Sequence, residues 1–269
     1  MKCPNGYLEQ LMTPLEICDW KLGSKVDQGE DGYILQACCK DKCKFIVKVI
    51  ENRNQRSTFL SKVANEISIQ NEFAGLGLAP KILDAWMCNN EASIVMEKKD
   101  MNLVKYVSTL VQSGVIPETS ILSTIDSLQS TLLQLVDKAH QNNLVHKDLH
   151  LKNVMVDVDD DLDWYNMKII DFGKSGKVKS VLEANREEPI GEIKLSFDML
   201  KRSVTTPVAV KSPPKAPKKK QPQRSPQRSP KQSNRSLFDS PSPARVKKSL
   251  FDDDEDDIFR PKGLTLSFD

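Results

Sequence analysis

The chain reads "LVHKDLHLKN" over residues 144–153, and sixteen positions beyond Asn153 it begins "IIDFG" over residues 169–173. An Asp and an Asn stand five residues apart behind a His, ahead of a second Asp that is followed by Phe-Gly. Three hard oxygen donors, Asp148, Asn153 and Asp171, thus fall within one short span. Between them lie two β-prone runs, "NVMVD" and "MKIIDFG", which flank an acidic turn and predict a small hairpin. The turn itself, "DVDDDLDWYN" (157–166), is not an EF-hand loop, because Leu162 stands where such a loop wants Gly and Lys168 where it wants Glu. His140 and His150 lack partners at metal-ligand spacing.

Working outward, the residues upstream change period along the chain. Short β-prone runs come first, around Val26, at "YILQA" (33–37), "KFIVKVI" (44–50) and "ASIVME" (92–97). A helix is predicted over about 58–74, with Phe59, Val63 and Ile67 on one face and Ile69 and Phe73 beside it. A longer helix follows, its buried stripe formed by Ile121, Ile125, Leu128, Leu132, Leu135 and Ala139, and it ends near Asn142–Asn143. The order predicts an α+β architecture: a strand-rich lobe containing one helix, then a helical lobe carrying the hairpin.

"HKDLHLKN" resembles the His-x-Asp-x-x-x-x-Asn catalytic loop of the protein kinases, and "DFG" follows at that superfamily's distance. The resemblance implies a two-lobed protein-kinase-like fold, with a β-rich N-lobe over about 14–97 and a reduced helical C-lobe over about 98–205. It implies that Asp148 sits beside the attacking hydroxyl, that Asn153 and Asp171 ligate Mg²⁺, and that His146 and Phe172 pack in the regulatory spine. Upstream parts appear in the family's order. "VDQGEDGYILQA" (26–37) is similar to the glycine-rich loop through Gly29, Gly32 and Ile34, with Asp27 where the family has its first Gly. "FIVK" (45–48) is similar to Val-Ala-Ile-Lys, so Lys48 would contact the ATP phosphates and Glu66 would be its ion-pair partner, with Glu72 the fallback. "IVMEKKDMNLVKYV" resembles the last N-lobe strand and the hinge, with Met96 as gatekeeper and Glu97 offering backbone contacts to adenine. Ile34 and Ile46 above the base and Met155 below it would complete an apolar slot.

Departures from the pattern matter equally. Common Ser/Thr kinases carry a Lys two residues after the catalytic Asp, which neutralises the transferred phosphoryl group; here His150 stands there and a Lys appears at 152. In this the loop is similar to those of aminoglycoside and choline phosphotransferases and of haspin-like kinases. After Gly173 only residues 174–205 precede the tail, and "EEP" (187–189) is a poor relic of Ala-Pro-Glu. Asp198 is the candidate for the helix Asp that anchors the catalytic loop. So short a C-lobe resembles the small atypical kinases, including the kinase of the tRNA-modification complex, and it would suit a large DNA virus. Switching through a phosphorylated activation loop is not expected. The expected function is ATP- and Mg²⁺-dependent phosphorylation of protein Ser/Thr hydroxyls; the alternatives are a small-molecule phosphotransferase and a non-catalytic kinase-fold binding protein.

Charge separates a second polymer from the first. Residues 1–200 hold 23 Lys/Arg against 29 Asp/Glu, a net of −6, whereas residues 201–269 hold 16 against 8, a net of +8. From about residue 206 Pro, Ser, Lys, Arg and Gln replace the apolar residues that could offset the entropy of ordering, which predicts a disordered tail. It carries the Ser-Pro sites Ser212, Ser225, Ser229, Ser240 and Ser242, repeats "SLFD", and includes the acidic run "DDDEDD". Its basic stretch suits an import signal or contact with nucleic acid or another polyanion. Six cysteines at 3, 18, 38, 39, 43 and 88 show no Cys-x-x-Cys spacing, from which free thiols in a reducing compartment are expected. No signal peptide or apolar run of about 20 residues is present, so we expect an intracellular protein, cytoplasmic or nuclear, without membrane contact. Nothing in the sequence sets its oligomeric state.

Overall fold

The computed structural model of the chain describes residues 8–15, 18–29, 32–53 and 57–205. The predicted disorder of the tail, its Ser-Pro sites and its repeats lie outside these residues. In chain order the elements are β1 (Leu8–Gln10), β2 (Lys21–Gln28), β3 (Gly32–Cys39), β4 (Lys42–Glu51), α1 (Phe59–Gly75), β5 (Ile82–Cys88), β6 (Glu91–Glu97) and β7 (Met101–Asn102). They continue with α2 (Leu103–Ser113), α3 (Glu118–Gln141), β8 (Leu144–Val145), β9 (Val154–Val158), β10 (Trp164–Ile169), β11 (Gly176–Lys177), α4 (Val181–Glu187) and α5 (Ile190–Thr205).

The first lobe is a β-rich sheet with one helix, in strand order β1-β5-β6-β4-β3-β2. Alternation along β4 gives the sheet two different faces. Val47 and Val49 point to one side, into a cluster with Trp20, Ala37, Trp86 and Val95. Ile46 and Ile50 point to the other and meet Ile82, Ile94 and Met96, together with Val63 and Ile67 of α1. Lys48 shares that second face by parity, and register places it opposite Ile34 on β3 and Ile94 on β6. A cation is thereby carried to the helix side of the sheet.

The free thiols expected from cysteine spacing are not what the fold makes. Cys18 is bonded to Cys39 and Cys38 to Cys43, and Cys88 is disulfide-bonded too. The reason is the β3–β4 hairpin, whose return brings the Cys38 and Cys43 Cα atoms to 4.0 Å at a sequence separation of 5. A reducing compartment, inferred from free thiols, loses that support.

The second lobe is helical and built on α3. Its buried stripe is Ile121, Ile125, Leu128, Leu132, Val136 and Ala139. Val136 takes the place expected for Leu135, which is only half-buried, because a straight 3.6-residue period favours the i+4 step there. Against this stripe pack Leu103, Tyr106 and Leu110 of α2, Val154 and Val156 of β9, and Ile193, Phe197 and Leu200 of α5. Helix α2 starts at Asn102, whose side chain accepts from the Lys105 N–H at 2.8 Å, and it stops at Gly114, where φ is +62°. The α1–β5 connection is stitched to this lobe: Ile169 N–H donates to Leu78 O at 2.9 Å, and Lys138 Nζ to Leu76 O at 2.8 Å. No helix among the described residues is long and apolar enough to cross a membrane.

Candidate active site

The cleft-facing wall of the sheet begins at a glycine. A Cβ on Gly32 would lie 1.8 Å from Val49 O, so β3 can approach β4 this closely only without a side chain. Gly29 N–H donates to Gly32 O at 2.9 Å, closing the turn between them. Ile34 then lies opposite Lys48, and Ile46 opposite Met96, on the same face. Met96 is buried, while Ile34, Ile46 and the β9 residue Met155 are half-buried. Glu97 ends β6, and its N–H is engaged with Lys81 O at 3.4 Å.

Lys48 makes the central contact. Its Nζ lies 2.7 Å from Glu66 Oε1 and 2.6 Å from Asp171 Oδ1, joining β4, α1 and the segment after β10. Burial alone would lower the Lys48 pKa, but the carboxylates of Glu66 and Asp171 outweigh it and hold the pKa above the ordinary lysine value. For Asp171 burial would raise the pKa, and the charge and hydrogen bond of Lys48 bring it below the ordinary carboxylate range. Asp171 sits at φ +70°, a left-handed conformation that a non-glycine residue adopts at some cost. Glu72 faces elsewhere, pairing with Lys177 at 2.8 Å.

The loop carrying Asp148 is held from beneath by a carboxylate. Glu188 accepts from the His146 N–H at 3.4 Å and from the Lys147 N–H at 3.3 Å. Lys147 is itself left-handed, at φ +65°, so the residue before Asp148 is kept in a strained conformation by a buried acceptor. His140 closes the group: its Nε2 is 3.1 Å from Glu188 Oε2 and its Nδ1 2.9 Å from Asn185 Oδ1. Glu188 and Asn185 both present oxygen to this ring, an arrangement that favours its protonated form. Accordingly, although burial opposes it, the bonds to Glu188 and Asn185 raise the His140 pKa. Asp198, the residue expected to anchor this loop, is exposed on α5 and does not take that part. Glu188 lies in the "EEP" triplet that reads as a relic.

Above this anchor the remaining parts lock together. Asn153 Nδ2 donates to Asp148 O at 3.1 Å, and Ile170 N–H donates to Asn153 O at 2.9 Å, so the loop and the Asp171 segment are one unit. His146 Nε2 donates to Ile170 O at 2.8 Å; burial keeps the ring's pKa below the ordinary imidazole value despite that bond. Phe172 is fully buried, with ring centroids 4.8 Å from Phe73 and 5.2 Å from His146. Aromatic packing thus continues from α1 to the loop.

Asp148 itself borders an open cleft with Lys147, His150, Glu187, Glu192 and Ile193. Its Oδ2 is 3.0 Å from Lys174 Nζ, while Lys147 Nζ is 2.7 Å from Glu187. Among the described residues no three His, Cys, Asp or Glu side chains converge as a complete metal site. Asn153 and Asp171 nonetheless fit a hard cation shared with phosphate oxygens: Asn153 spends its NH₂ on Asp148 O and keeps Oδ1, and Asp171 is an ionised carboxylate. Two oxygen donors, a positioned ammonium and a carboxylate at a cleft are the equipment of phosphoryl transfer. Glu188, His140 and Lys174 escape a motif search, since two of them act on the loop from below and the third lies outside the loop's own pattern.

The family model described as protein kinase domain matches residues 20–192. No curated protein matches the chain.

Proposed function

The chain belongs to the protein kinase family, and on that premise we propose that it transfers the γ-phosphate of Mg·ATP to Ser or Thr hydroxyls of protein substrates. The observation that carries the reading is the Lys48 ammonium, held 2.7 Å from Glu66 and 2.6 Å from Asp171 beside the loop of Asp148. In this reading Lys48 orients the donor phosphates, and the apolar residues Ile34, Ile46, Met96 and Met155 line the base slot. Asn153 and Asp171 hold the magnesium ions, which when bound neutralise phosphate charge. Asp148 positions the acceptor hydroxyl and takes up its proton. A depressed Asp171 pKa keeps that ligand ionised at neutral pH.

Two features favour a protein acceptor that is modified without prior activation. The chain runs from Gly173 directly into β11, α4 and α5, with no insertion to build an enclosed pocket for a small alcohol. The same segment is fastened to α1 through Asn65, whose Nδ2 donates to Ser175 O at 3.3 Å, which supports an assembled site without a phosphorylated loop. The basic stretch beyond residue 205 belongs to the proposal as an arm for nucleic acid or another polyanion. A chain truncated after residue 205 should keep phosphotransfer and lose salt-sensitive DNA or RNA binding.

Incubation with labelled ATP·Mg²⁺ and a panel of basic proteins, acidic proteins and small alcohols, followed by identification of the labelled residue, tests the reading. Phosphoserine or phosphothreonine is expected. Asp148→Asn should abolish most transfer and leave ATP binding intact, whereas Asp171→Asn should weaken Mg·ATP binding as well. Label on a small alcohol alone would move the chain to the small-molecule phosphotransferases. Wild-type turnover in Asp148→Asn would overturn the assignment of the loop.

A further inference from the structure

We propose that Lys174 is a catalytic residue whose ammonium steadies the phosphoryl group as it passes to the acceptor, an inference that rests on the phosphotransfer reading above. In that step the acceptor oxygen bonds to the γ-phosphorus as the bond from phosphorus to the β–γ bridging oxygen breaks. The bridging oxygen leaves with the electron pair on ADP, and the hydroxyl proton passes to Asp148. Negative charge is then spread over three equatorial oxygens, and cations close to them lower the barrier. On the donor side that cation is Lys48, already committed to Glu66 and Asp171.

The acceptor side needs its own. Residue 150 is a His. Lys174 Nζ reaches the reacting carboxylate, 3.0 Å from Asp148 Oδ2. Its position is set by the fold. The next residue, Ser175, donates its N–H to Phe172 O at 3.1 Å and its Oγ to His146 O at 3.0 Å, and β11 pairs with β8 immediately after. Lys174 therefore stands between two fixed points, three residues beyond Asp171. Its side chain is 68% exposed, so the pair with Asp148 contributes little to folding. A flexible ammonium at the mouth of the cleft can leave Asp148 for a phosphoryl oxygen as charge develops.

The test uses the full chain and two variants, Lys174→Met and Lys174→Arg, with two readouts. Turnover should fall by about 10²-fold in Lys174→Met and be retained in large part by Lys174→Arg, which keeps the charge. Independently of turnover, calorimetric titration with Mg·ADP, with and without aluminium fluoride as a planar phosphoryl mimic, should separate ground state from transition state. Lys174→Met should bind Mg·ADP like the wild type but lose the extra affinity that fluoride confers. Wild-type turnover in Lys174→Met, or an undiminished fluoride effect, overturns the role of Lys174 and leaves the kinase reading standing. Absence of transfer by the wild type to every acceptor overturns both.

Discussion

Glu66 and Glu188 are both buried carboxylates, and they do different work. Glu66 meets a side chain, the Lys48 ammonium, and so fixes a charge on the helix side of the sheet. Glu188 meets main chain, the N–H groups of His146 and Lys147, and so fixes the shape of the loop that presents Asp148. One carboxylate sets electrostatics and the other sets geometry. The difference teaches that the site depends on a strained backbone as much as on charged groups: Lys147 and Asp171 both adopt positive φ, and each is held by a polar partner.

The comparison breaks first on the Lys48 side. Lys48→Met should lower turnover by about 10³-fold while the chain still folds, measured by steady-state kinetics beside circular dichroism. A loss under tenfold would deny the Lys48–Glu66 pair its place at the phosphates. Next, Glu66→Gln and Glu188→Gln should separate in what they cost. Glu66→Gln should reduce turnover with the urea midpoint nearly unchanged. Glu188→Gln should reduce turnover and also destabilise by about 1–3 kcal/mol, because the loop amides and His140 lose a charged acceptor. Equal stability losses in the two variants would erase the distinction.

A smaller effect sharpens the Glu188 side through pH. His140 has a raised pKa in the fold, so its contribution is fully present below the ordinary imidazole value of about 6.5 and is lost as pH rises through the raised value. The groups facing it are Glu188, Asn185 and, through space, Asp137. The stability difference between wild type and His140→Gln should therefore be widest near pH 6 and shrink towards pH 8.5, as read from urea unfolding curves. A difference that grows with pH would reverse the assignment. The smallest effect is expected at Glu72, whose pair with Lys177 is largely exposed: Glu72→Gln should change stability by under about 0.5 kcal/mol and leave turnover unchanged. A crippled Glu72→Gln would transfer the role of Glu66 to the other glutamate of α1.

What the sequence by itself determined was borne on a local period or a fixed spacing. The alternation in β4 puts Lys48 on the face away from Val47 and Val49, the helical period carries Glu66 with Val63 and Ile67, and the loop pattern keeps Asp148 and Asn153 together. These features follow from backbone geometry, which repeats every two or 3.6 residues and leaves its trace in residue order. Elements without a clean period escaped that reading. Strand β5, whose run "ILDAWMC" is buried on both faces, and the short helices α2 and α4 emerged only in the fold. Tertiary structure alone decided the cysteine pairs, because a hairpin return and not a motif brings Cys38 to Cys43. It alone chose Glu188 over Asp198 as the loop's anchor, because the partners are main-chain N–H groups, which every residue but proline carries and which leave no mark in a sequence. It alone brought Lys174 to Asp148 across 26 residues, since which cation reaches a carboxylate is fixed by where the chain folds back.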